Sequence, residues 1–111
     1  MIYICGMDIE KNIAQMRKGV LELCILSIVS RKDAYASDII GKLKESQLIV
    51  VEGTLYPLLR RLEKQGLLDS EWSLETSRPR RYYVLNVSGR EALETLKGEW
   101  NALAAVLGRL L

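Results

Sequence analysis

The chain has no histidine and only two cysteines, Cys5 and Cys24, in 111 residues. The first absence removes the commonest general acid/base, and no nucleophile elbow or glycine-rich phosphate loop takes its place. Catalysis by carboxylates alone would need a pair that stands out from the scattered Asp and Glu, and none does. Nothing near either cysteine has metal-ligand spacing, so a zinc site has nothing to build on. No metal and no cofactor is expected. Cys24 lies in an apolar run and reads as a small buried hydrophobe, with both thiols reduced in a cytoplasm.

Long apolar runs are lacking as well. Val20 to Val29 is interrupted by Glu22 and Ser27, far short of a membrane span of roughly 20 residues. Met1 to Gly6 is apolar but has no basic n-region and no cleavage site, so it is not a signal peptide. Residues 1–7 read as an N-terminal extension, with Met7 an alternative start just ahead of the amphipathic pattern. Strong charge is missing too: the formal net charge is +2, so any electrostatic partner must be inferred from where charges cluster. What remains is one small cytoplasmic domain and a binding module rather than an enzyme.

The stretch Glu52 to Leu68 is the richest. Leu55, Leu58, Leu59 and Leu62 fall at i, i+3, i+4 and i+7, the stripe of a helix buried on one face. Pro57, Arg60 and Lys64 point the opposite way, with Tyr56 and Arg61 on the flanks. Such a cationic outer face suits the DNA major groove, although a merely solvated polar face has the same pattern. Placing the N-cap at Gly53 or Thr54 would put Pro57 at the edge of the first turn, where its missing N–H does little harm. Thr54 and Tyr56 then lie at the phosphate-favouring end. Gly66 stops the helix.

Around this segment the pattern predicts four helices and a hairpin. Asp8 is expected to cap a first helix reaching about Ser30, with Ile13, Met16, Val20 and Leu23 among its apolar positions. A second helix is expected from about Ala36 to Ser46, with Ile39, Ile40 and Leu43 inward. Gln47 to Val51 reads as a brief extended segment. Leu68, Ser70, Trp72 and Leu74 alternate with polar residues, and Tyr83, Leu85 and Val87 form the answering strand. The loop between them carries Arg78, Arg80 and Arg81 around Pro79. Ser88 and Glu91 have capping-box spacing at the start of a last helix. There Leu93, Leu96, Trp100, Leu103, Leu107 and Leu110 are spaced 3, 4, 3, 4, 3, an a/d seam for a second chain. The fold class is therefore mainly α with a small β-hairpin: a winged helix-turn-helix over residues 8–87 and a dimerisation helix over 88–111.

Thr54-Leu55-Tyr56-Pro57-Leu58-Leu59-Arg60-Arg61-Leu62-Glu63, followed by Gly66-Leu67-Leu68, closely resembles the recognition-helix signature of PadR-family transcriptional regulators. Arg17-Lys18-Gly19 with the run Leu21 to Leu26, Arg80-Arg81-Tyr82-Tyr83 and Ser88-Gly89-Arg90 look like the same family, so the resemblance covers about Met16 to Leu111. It implies a homodimeric DNA-binding regulator of the compact subfamily, usually a repressor, whose last helix packs on the first helix of its partner. That places Met16 and Val20 in the interface with the seam. It also implies a double-stranded, pseudo-palindromic operator, no membrane partner, and in some compact relatives a planar hydrophobic effector between the subunits. Trp100 could stack such an effector or simply pack.

On this view Thr54 and Tyr56 read base edges, although Tyr56 could instead pack against the second helix. Arg60, Arg61, Lys64 and Pro57 face the DNA backbone, as do Arg78, Arg80 and Arg81. Arg80 or Arg81 could equally pair with Glu71 or Glu75. Many members carry Gly-Tyr where this chain has Ala36-Ser37, so a DNA contact by Ser37 is the least supported. A protein-interaction module with an acidic partner, or a small-molecule-binding dimer, would share much of this pattern.

Overall fold

A computed structural model describes residues 2–75 and 77–111, with side chains from residue 8 onward. Thr76 and the Cys5 side chain lie outside the described residues. The order is α1 (Ile2–Arg31), β1 (Ala34–Tyr35), α2 (Ala36–Glu45), α3 (Glu52–Lys64), β2 (Leu68–Ser73), β3 (Arg80–Leu85) and α4 (Val87–Leu110). The three strands form one antiparallel sheet in the order β1-β3-β2.

The core sits where the apolar faces of the four helices and the sheet meet. Leu55, Leu58, Leu59 and Leu62 of α3 are all buried, as their spacing predicts. They pack with Leu21, Ile25, Leu26 and Val29 of α1, Ile39 and Leu43 of α2, Leu68, Tyr83 and Leu85 of the sheet, and Leu93 of α4. Leu59 is completely buried, so Leu59→Ala should cost about 2–5 kcal/mol. Urea denaturation checks this, and a loss under 1 kcal/mol would mean that the site collapses around the gap.

Both helices of the helix-turn-helix end in the same paired hydrogen bonds. After α2, the Leu48 and Gln47 N–H groups donate to the Leu43 and Lys44 carbonyls at 2.8 and 3.0 Å. After α3, Leu67 and Gly66 donate to Leu62 and Glu63 at 3.0 and 2.9 Å. This Schellman closure needs a left-handed residue at its centre. Gly66 supplies it at φ 79° without strain, whereas Gln47 adopts φ 70° despite its side chain.

Several expected boundaries move. The first helix begins at Ile2, so Asp8 lies inside it and caps nothing. Residues 47–51 form no strand; the sheet instead recruits β1, too short to leave a pattern. The last helix is capped by Asn86, not by a Ser88 box: its side chain accepts from the Gly89 N–H at 2.8 Å. The Asn86 amide also donates to the Gly66 carbonyl at 2.9 Å and to Asp69 at 3.3 Å. A serine hydroxyl has neither the reach nor the two ends to join three elements in this way.

Candidate nucleic-acid interface

The face of α3 turned from the core carries Pro57, Arg60 and Lys64, all exposed. The helix starts earlier than expected, with Val51 as N-cap, and this puts Pro57 in the second turn. The cost is one missing hydrogen bond to the carbonyl of Gly53. Gly53 is exposed, so water can satisfy that carbonyl. Thr54 sits on the flank towards α1, in a shallow recess with Ala14, Lys18, Leu21, Pro57 and Leu58. Tyr56 is on the opposite flank and partly exposed; it and Arg60 lie close enough to the sheet to influence Tyr83 electrostatically. Burial chiefly, then Glu63, pushes the Tyr83 phenol up, so it stays neutral at physiological pH. Glu63 itself accepts a hydrogen bond from the Ser70 hydroxyl at 2.7 Å, which ties α3 to β2.

Arg61 has a partner within the protomer. Its Nε lies 3.4 Å from Glu22 of α1, whose side chain is only 15% exposed. A largely buried carboxylate needs a nearby cation, and Arg61 is on the flank that provides it. It braces α3 against α1 while its side chain stays 53% exposed.

The hairpin register is Leu68↔Leu85, Ser70↔Tyr83 and Trp72↔Arg81 on the core-facing side, and Glu71↔Tyr82 and Ser73↔Arg80 on the outer side. Past the edge of the core, Trp72 and Arg81 are exposed and the Arg81 guanidinium lies 5.4 Å from the indole centroid. Arg78 is exposed in the loop at the tip. On the outer side, the Tyr82 hydroxyl donates to Glu71, which raises its pKa. Arg80 takes neither glutamate: it donates to the Ser37 hydroxyl at 2.9 Å and lies 3.9 Å over the Tyr35 ring. Ser37 and Arg80 are thus brought together across 43 residues of sequence. Tyr35 is the residue that sequence reasoning missed, because nothing in a lone tyrosine before a helix announces a cation above it.

Away from this surface, α4 leaves an apolar row uncovered. Leu96, Trp100, Leu103, Leu107 and Leu110 are all exposed, as is Met16 of α1 at 72%; Val20 is partly exposed. Leu93 departs from the expected seam. At 6% exposure it belongs to the protomer's own core, because the first turns of α4 still lie on α1 and β3. Burial raises the Cys24 thiol pKa. Among the described residues no cluster could hold a metal ion, and no helix is long and apolar enough to cross a membrane.

A helix with a basic outer face, followed by an arginine-bearing hairpin, is the geometry of a winged helix-turn-helix. The sequence profile of the transcriptional regulator PadR-like family matches residues 25–95, from the last turns of α1 to the first turns of α4. The chain belongs to the PadR-like family. It is similar to a PadR-like transcription factor of Bacteroides fragilis, with 48% identity, a TM-score of 0.79, and coverage of 91% of this chain and 99% of that one. A PadR-family regulator from Eggerthella lenta has 33% identity and a TM-score of 0.84, over 97% and 96% of the two chains. Transcriptional regulator Rv3488 of Mycobacterium tuberculosis is 34% identical over 79 residues, 71% of this chain and 74% of its own length. This PadR-like chain is therefore a winged-helix DNA-binding transcriptional regulator.

Proposed function

We propose that this regulator is a cytoplasmic homodimer that represses transcription by binding a pseudo-palindromic operator, and that an effector releases it. The observation that carries this reading is the coexistence of an exposed basic face on α3 and an uncovered apolar row on α4. The α4 rows and the α1 face around Met16 and Val20 pair two chains. The two α3 helices then enter successive major grooves roughly 34–36 Å apart. Thr54 and Tyr56 reach base edges, Arg60 and Lys64 hold phosphates, and the wing arginines grip the flanking backbone. Residues 8–87 form the DNA-binding unit and 88–111 the dimerisation helix. A planar hydrophobic effector stacked on Trp100 would change the distance between the two α3 helices and so weaken operator binding.

The test begins with DNA selected from a random pool by the wild-type chain. Arg60→Ala with Lys64→Ala should lower affinity for the selected sequence at least tenfold at moderate salt. It should also flatten the dependence of log K on log salt by about 0.9 per lost contact in each protomer. Unchanged affinity and slope would remove α3's outer face from the interface. Weak, sequence-blind binding by the wild type would favour docking of an acidic protein partner.

A further inference from the structure

The contacts around Arg80 extend the DNA-binding reading to two residues outside α3 and the wing. Ser37 lies in the first turn of α2, and Tyr35 immediately precedes that helix in β1. Tyr35 is itself fixed from three sides. Its backbone pairs with Tyr82 across the sheet, and its N–H donates to the Asp38 carboxylate at 3.0 Å. Its ring meets that of Tyr82 edge-on, with centroids 6.1 Å apart and planes at 73°. On this held platform the Arg80 guanidinium sits 3.9 Å from the ring centroid and gives one N–H to Ser37 at 2.9 Å.

A guanidinium has five N–H donors in a plane, and stacking uses a face without using any of them. Ser37 takes one, so the remaining fork is free of the serine while the plane is fixed. Arg80 opens β3 at the root of the wing and is exposed. An arginine held this way before binding loses less rotamer freedom when it meets a phosphate. We propose that Tyr35 and Ser37 are positioning residues for DNA binding, holding the Arg80 guanidinium at the root of the wing for a backbone phosphate. The inference rests on the wing's part in the proposed function.

Coupling through Arg80 distinguishes this role from a general structural one. Full-length Tyr35→Leu, Tyr35→Phe, Ser37→Ala and Arg80→Ala proteins would be titrated against the DNA selected by the wild type, at several salt concentrations. The two double variants Tyr35→Leu/Arg80→Ala and Ser37→Ala/Arg80→Ala complete the cycles. Arg80→Ala should cost roughly five- to tenfold and reduce the salt slope by about 1 per protomer. Tyr35→Leu and Ser37→Ala should each cost roughly two- to fivefold, and neither should cost more once Arg80 is alanine. Tyr35→Phe, which keeps the ring, should bind as wild type. Losses that persist undiminished in the Arg80→Ala background would overturn the proposal, as would wild-type affinity in both single variants. Ser37 is exposed, so its variant tests the idea even if Tyr35→Leu folds poorly. If Arg80→Ala binds normally while Arg60→Ala with Lys64→Ala does not, the clamp is wrong and the α3 reading stands. Normal binding by all of these variants would sink both.

Discussion

Glutamate at both Leu103 and Leu107 should convert a dimer to a monomer and sharply weaken operator binding. The two side chains are 50% and 47% exposed in the protomer, so charging them removes nothing from its core. In a paired seam, however, four carboxylates would meet across one apolar strip, and like charges desolvated together are strongly disfavoured. Linking two half-site readers makes the second contact intramolecular, a gain on the order of 100-fold or more. Operator affinity should therefore fall by about that factor. Sedimentation would show one chain's mass, and circular dichroism an intact fold. A double variant that still sediments as a dimer would remove α4 from the interface. Leu93→Glu should fail differently, by unfolding the protomer, because Leu93 is a core residue in spite of its place in the heptad.

Gly89→Ala presents a sharper conflict. In a helix interior, alanine is favoured over glycine by about 1 kcal/mol. Gly89, however, lies in the first turn of α4 against the Leu67 carbonyl and the Leu85 side chain, and an added Cβ would overlap both. Leu67 is backbone between α3 and β2 and cannot rotate aside, so the repulsion sits at the upper end of overpacking costs, about 3 kcal/mol. The clash wins, for a net loss near 2 kcal/mol and a fall in Tm of roughly 10 °C at fixed protein concentration. Gly41→Ala in α2 is the control. A Cβ there meets nothing within 4 Å, so the variant should gain roughly 0.5–1 kcal/mol. Equal melting temperatures for Gly89→Ala and wild type would show that α4 can slide along β2 and β3.

The parts of the fold legible in the sequence were those governed by period. Four leucines at helix spacing identified α3 and its buried side, and alternation identified β2 and β3. Heptad spacing identified the row on α4, but could not say where a core ends and an interface begins. That boundary is a matter of where α1 stops covering α4, and it falls between Leu93 and Leu96. The cap of α4 was not legible because it has work elsewhere: Asn86 reaches Gly66 and Asp69, and no local motif records that.

The candidate site was legible to the same degree. Arg60 and Lys64 followed from a helical projection. The bracing contact of Arg61 did not, because its partner is a glutamate 39 positions away in α1. Nor did Tyr35, which acquires significance only when the sheet brings Arg80 over its ring.

The Glu22–Arg61 contact makes the front of α1 a lever. Residues 8–19 are each exposed, and Ala14 and Lys18 among them line the shallow recess with Thr54, Pro57 and Leu58. The stretch makes about 18 Å of helix at 1.5 Å per residue. The back of the same helix is clamped into the core by Leu21, Ile25, Leu26 and Val29, and is braced to α3 through Arg61. A tilt of roughly 10° about that clamp swings the tip of the arm by about 3 Å. By this leverage α3 would turn with it, since a close-packed core moves as a body before it deforms. In the proposed complex, anything that crowds the arm would change the angle at which α3 meets a groove.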